Sequence, residues 1–117
     1  MVSQESSAHI NFKKKIIKSK EGDTILTLKE LTPVRMLKND FYSKIESAYL
    51  RNASTVQLKE ILGKGRAKKG MFLGELEDGE LEIGQVASVL DSIQPASLII
   101  NNIINEFNLE KDRVLKL

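Results

Sequence analysis

The chain has 117 residues, 41% of them hydrophobic and 29% charged, with a formal net charge of +2 and no cysteine. That is an ordinary composition for one globular domain, and the lack of cysteine excludes disulfides, thiolate metal sites and cysteine nucleophiles. No apolar run reaches the roughly 18 residues of a membrane span. The polar start MVSQESSAHINFKKK lacks the apolar core of a signal peptide, so the expected compartment is the cytosol.

In chain order, SSAHINFKKKIIKSK reads as a helix capped by Ser6 or Ser7. Phe12 and Ile16, four apart, and Ile10 and Ile17, seven apart, form its apolar stripe, and Gly22 ends it. DTILTLKEL is rich in β-branched residues and reads as one short strand or extended arm. Pro33 suits a first helical turn, so the next helix is expected from about 34 to 51, with Leu37, Phe41, Ile45 and Ala48/Tyr49 on its apolar face. Ser54 and Gln57 form a capping-box pattern ahead of a further helix that stops at Gly63. GELEIGQVASVLDSI places Ile83, Val86, Ala87 and Leu90 on one helical face. Gly84 then falls inside a helix, at a cost of about 1 kcal/mol relative to Ala, which points to close approach of another backbone or a ligand. QPASLIINNIINEF is the clearest helix, with Ile99/Ile100, Ile103/Ile104 and Phe107 facing inward and Asn101, Asn102 and Asn105 opposite. The tail NLEKDRVLKL is expected to fray or dock weakly. The expectation is a mainly α fold of five helices with one short extended segment.

The glycine-rich stretch 63–88 fails both phosphate-loop patterns. Gly65 is followed by Arg66 rather than Lys-[Ser/Thr], and Lys68 stands where a dinucleotide fingerprint needs its third glycine. Residues 1–70 carry 15 Lys/Arg against 7 Asp/Glu, while residues 71–117 carry 3 against 9. Such asymmetry marks a nucleic-acid surface, two halves that face each other, or a larger body that is missing. Lys64, Arg66, Lys68 and Lys69 could meet phosphates, but only Phe72 lies near them to stack a base, so a solvated or paired basic turn is favoured. Glu75, Glu77, Asp78, Glu80 and Glu82 do not follow a calcium-loop pattern. His9 is the only histidine; it cannot build a zinc site, and as a general base it has no visible orienting partner. It reads as a surface residue. The residues alone thus give a small helical domain with no self-contained active site.

Four stretches occur in one order: ESSAH (5–9), LTPVRMLKN (31–39), GRAKKGMF (65–72) and GELEIGQVAS (79–88). Together they resemble the C-terminal portion of the nitronate monooxygenase (2-nitropropane dioxygenase) family, kin to the FMN-dependent enoyl-ACP reductases. The resemblance implies an FMN-binding (β/α)8 TIM barrel with a small helical domain attached. A barrel needs about 250 residues, so the barrel strands are expected to be absent here. Residues 1–20 would be the helix after the last barrel strand and 21–117 the small helical domain with C-terminal helices. The family's phosphate-binding segments and histidine base would lie upstream, and His9 does not match that histidine.

By the same resemblance, the cofactor is FMN, Gly84 and Gln85 are the residues nearest it, and no catalytic or metal residue is assigned. Gly84 would let the flavin approach or merely let the segment pack tightly on the barrel; Gln85 could donate and accept hydrogen bonds. The expected function is the C-terminal part of an oxidoreductase that oxidises nitronates with O2. It would be inactive and unable to hold FMN alone, and would act on a small-molecule substrate only when intact. The charges of 63–76 would face solvent or the missing barrel, with no nucleic acid or membrane required. An apolar face on Ile83, Val86, Leu90 and the 99–107 stripe would stay exposed for the barrel half or for self-association. The alternatives are an independent helical interaction module and a part of an enoyl-ACP reductase.

Overall fold

The computed structural model describes residues 1–117. The chain forms four α-helices, α1 (Ile10–Ile17), α2 (Asp40–Leu50), α3 (Thr55–Leu62) and α4 (Ala96–Leu115), and one antiparallel pair, β1 (Thr24–Thr27) and β2 (Val34–Leu37). A π-helical turn, Lys68–Phe72, and a 3-10 turn, Gln85–Val89, lie between α3 and α4. The fold is therefore mainly helical, as expected, but with two strands rather than one.

The second strand corrects the expected helix from 34 to 51. Residues 34–37 pair with β1 in the register Thr24↔Leu37 to Thr27↔Val34, and the helix begins only at Asp40, capped by Asn39, whose side chain accepts from the Tyr42 N–H. Pro33 sits in the turn ahead of β2. On the far side of β2, Leu37 N–H donates to Leu81 C=O and Ile83 N–H to Arg35 C=O, so residues 81–83 lie along it as a third, bridged segment.

This arrangement creates two cores. Successive strand residues point to opposite faces; Leu37 enters a cluster with Ala8, Phe12, Ile16, Met71, Leu81 and Ala87, while Met36 joins Leu28, Phe41 and Ile45. Only 18 of the 117 residues are buried, and none of them belongs to α4. Phe12 and Ile16 are fully buried as their spacing predicts, but Ile10 is exposed.

Local signals decide several ends. Ser54 and Gln57 form the capping box read from the sequence, and Gly63 caps α3 with φ of 65°. The cap of α1 is His9, whose Nδ1 accepts from Asn11 N–H, instead of Ser6 or Ser7. Its ring fills the space where Gly74 would carry a side chain, and Gly74 also has a φ of 79°, so that turn requires glycine. The C-terminal tail is helical to Leu115 rather than frayed, though exposed along its length.

Candidate functional site

The 79–88 stretch is positioned from both sides by backbone. Gly79 lies against Gly70 with room for no side chain on either. Asn39 Nδ2 donates to Leu76 C=O (2.6 Å) and Gly79 C=O (2.8 Å), tying the stretch to the start of α2. Leu81 is buried, residues 81–83 run along β2, and Gly84 then opens the 3-10 turn by accepting from Ala87 N–H at 3.0 Å. Alternation of Leu81 and Ile83 with Glu82 was therefore the governing period here, and the expected helix over 79–93 is reduced to that one turn.

Gly84 accordingly does not lie inside a helix. It has extended geometry (φ −71°, ψ 161°) with open space where a side chain would project. Gly84 and Gln85 are both exposed, at the tip of the bridged segment. Beside them Val86 and Val89 are exposed, and Leu90 is partly so. A recess of about 220 Å³ lies between residues 89–94 and α4, walled by Val89, Leu90, Ile99 and Ile103. The stripe of α4 faces outward here: Ile100, Ile103, Ile104 and Phe107 are all more than half exposed. This corrects its expected inward packing but leaves in place the expected exposed apolar face, of which Ile83 is the half-buried margin.

The N-terminal turn holds α4 in place. Glu5 accepts from Ala96 N–H at 2.9 Å, capping α4, and that bond holds its carboxyl below the usual range. Gln4 N–H donates to Gln94 C=O. Lys13, almost fully buried, donates to the carbonyls of Ser3, Gln4 and Ser6 and so closes the turn. Glu5 acts across the fold on Ala96, whereas Lys13 acts on the turn just before its own helix; no local pattern marks either. Asn39 could have been found, as an Asn directly ahead of an apolar helix.

The basic and acidic clusters meet each other. Asp78 pairs with Lys44 (2.8 Å), Lys69 (2.9 Å) and Arg66 (3.0 Å). Hydrogen bonds from Lys44 and Lys69, with Arg66 close by, hold its carboxyl well below the usual carboxylate range. Arg66, Lys69 and Glu75 of this connection are thus paired within the chain, while Lys64 and Lys68 are exposed and form no ion pair. Glu80 is the opposite case: it is 8% exposed, and burial, with the neighbouring Glu82 charge, raises its pKa against the pull of Arg66.

Glu80 gives a prediction with a definite sign. A carboxyl whose folded pKa is raised destabilises the fold as pH climbs through its unfolded value, near 4.3, to the folded one. Glu80→Gln should therefore stabilise the chain at pH 7 by about 1 kcal/mol or less, with the gain vanishing at pH 4. Thermal melts of both proteins at the two pH values check it. Asp78 works the other way, its contribution present above about pH 3.9 and lost as pH falls through its lowered folded value.

No group of three or more His, Asp or Glu side chains is placed to hold a metal ion. No helix is long and apolar enough to cross a membrane.

The nitronate monooxygenase family model matches residues 1–106, so the chain belongs to that family. Among solved structures, it is similar to FabK from Thermotoga maritima, with 33% identity and a TM-score of 0.85 over 97% of this chain and 36% of that one. A single-residue mutant of the same FabK matches with 32% identity and a TM-score of 0.74, over 97% and 34% respectively. The chain thus spans about a third of the length of these FabK chains. A comparison with curated proteins found no match.

Proposed function

We propose that this chain is the helical part of an FMN-dependent oxidoreductase that oxidises nitronates with O2, and that Gly84 and Gln85 face the flavin. The family match over residues 1–106 carries the reading. FMN would supply the redox chemistry; this chain would shape the pocket around it. The open space at Gly84 admits a planar ring edge, and the exposed Gln85 amide can donate to or accept from it. The charged residues nearest this tip in sequence, Glu80, Glu82 and Asp91, are all acidic and do not suit the FMN phosphate. The fit is therefore to part of the cofactor, and FMN is held only together with a barrel.

The likeness to FabK supports an enoyl-ACP reductase as the second reading. In either case the apolar face on Val86, Leu90 and α4 packs against the barrel half, or against a second copy where none is present, in a cytoplasmic setting. FMN titration of the purified chain, followed by flavin fluorescence and the 450 nm band, tests the reading. The expected result is no saturable binding. Tight, stoichiometric binding would mean that the helical part carries a flavin site of its own, and would overturn the division of labour.

A further inference from the structure

We infer that the recess between the C-terminal end of α1 and the end of β2 is a site for a phosphate dianion, free or as the headgroup of a small phosphomonoester. The recess, about 220 Å³, is lined by Lys15, Lys18, Ser19, Asp23, Leu37 and Lys38. It is distinct from the Gly84–Gln85 tip and does not depend on the flavin reading.

The argument rests on how the chain distributes its cations. Lys44, Arg66 and Lys69 are paired on Asp78, and Lys13 is saturated by three carbonyls. Lys15, Lys18 and Lys38 take part in none of the chain's ion pairs, yet they line one recess. The single carboxylate there, Asp23, is engaged by the Lys20 N–H at 2.7 Å. Lysine at a helix C-terminus complements the carbonyl end of the helix, which accounts for Lys15 and Lys18 but not for Lys38, which follows β2.

The walls are tied together. Lys38 N–H donates to Asp23 C=O (3.0 Å), Ser19 Oγ donates to Ile16 C=O (2.6 Å), and Leu37 is buried in the core behind. The three lysines are thus carried by connected pieces of backbone and bring three positive charges to the wall of one recess. Lysine recognises phosphate as a point charge. The volume falls below the roughly 300 Å³ of typical small-molecule pockets, so it suits a headgroup rather than a whole nucleotide.

Inorganic phosphate and glycerol phosphate, each titrated into the 15N-labelled chain with acetate as control, provide the test. The expected result is saturable amide shifts centred on residues 15–23 and 37–38, at roughly millimolar concentration and absent with acetate. Lys38→Gln and Lys15→Gln should each weaken binding about fivefold, while Lys29→Gln leaves it unchanged. Tighter binding of glycerol phosphate assigns a phosphomonoester; tighter binding of phosphate assigns the free anion. Shifts spread equally over Lys29, Lys59 and Lys64, or no shift at all, overturn the site.

Discussion

Gly79→Ala is expected to destabilise the chain by about 3 kcal/mol, a loss of roughly 10 °C or more in Tm. A methyl group at this position would lie 2.6 Å from Gly70 N and 2.5 Å from Glu75 C=O oxygen. Both are backbone atoms of ordered turns and cannot swing aside as a side chain can. The movement would spread, because Gly79 C=O accepts from Asn39 Nδ2 and Gly79 N–H donates to Glu75 C=O. Displacing them loosens the cap of α2 and the turn that presents Asp78. Two other glycines calibrate the result. Gly70→Ala meets a side-chain atom, Leu81 Cδ2, at 2.7 Å and no backbone atom closer than 3.0 Å, and should cost less. Gly84→Ala meets nothing within 4 Å and has a negative φ, so its cost should stay within about 0.5 kcal/mol. Thermal melts of the three variants check the order. A Gly79→Ala protein as stable as Gly84→Ala would show that the two backbones do not touch.

Those glycines also show what a sequence can and cannot disclose. Features decided within four residues were legible: the Ser54–Gln57 box, the β-branched run of β1 and the stop at Gly63. β2 was not. It is buried on both faces, Leu37 in one core and Met36 in the other, so no polar alternation survives to mark a strand. By coincidence Leu37 continues the four-residue spacing of Phe41 and Ile45, which belong to the real helix. The 81–90 segment misled in the same way, since Ile83, Val86, Ala87 and Leu90 have helical spacing although hydrogen bonds to Arg35 and Leu37 hold its first part extended. For α4 the periodicity identified an apolar face correctly but could not say that nothing in the chain covers it.

The four stretches that carry the family resemblance prove to be rich in structural duties. Glu5 and His9 cap helices, Asn39 ties α2 to the 76–79 turn, Arg66 anchors α3, and Gly70 with Gly79 allows two backbones to meet. Gly84 and Gln85 have no comparable internal task, and that contrast is why the flavin is proposed to lie at their tip.

Arg66→Lys should be nearly as damaging as Gly79→Ala although it preserves the charge, with an expected loss of about 2–3 kcal/mol. The Arg66 guanidinium donates to Leu62 C=O (2.7 Å), Ile61 C=O (3.0 Å) and Asp78 C=O (2.8 Å), and lies 4.5 Å from the centroid of the Phe41 ring. It thereby satisfies two carbonyls left open at the end of α3, stacks on α2 and clasps the Asp78 turn. An ammonium group is a single point and cannot span these directions. The ion pair is the smaller part, because Asp78 keeps Lys44 and Lys69 in either case. Lys44→Ala, which removes a 60% exposed partner, should accordingly cost less than about 1 kcal/mol. Amide exchange separates the two contributions. If the guanidinium works as an anchor for α3, Arg66→Lys should speed exchange at residues 58–63 far more than Lys44→Ala does. Equal effects of the two variants would mean that charge, not geometry, holds the junction.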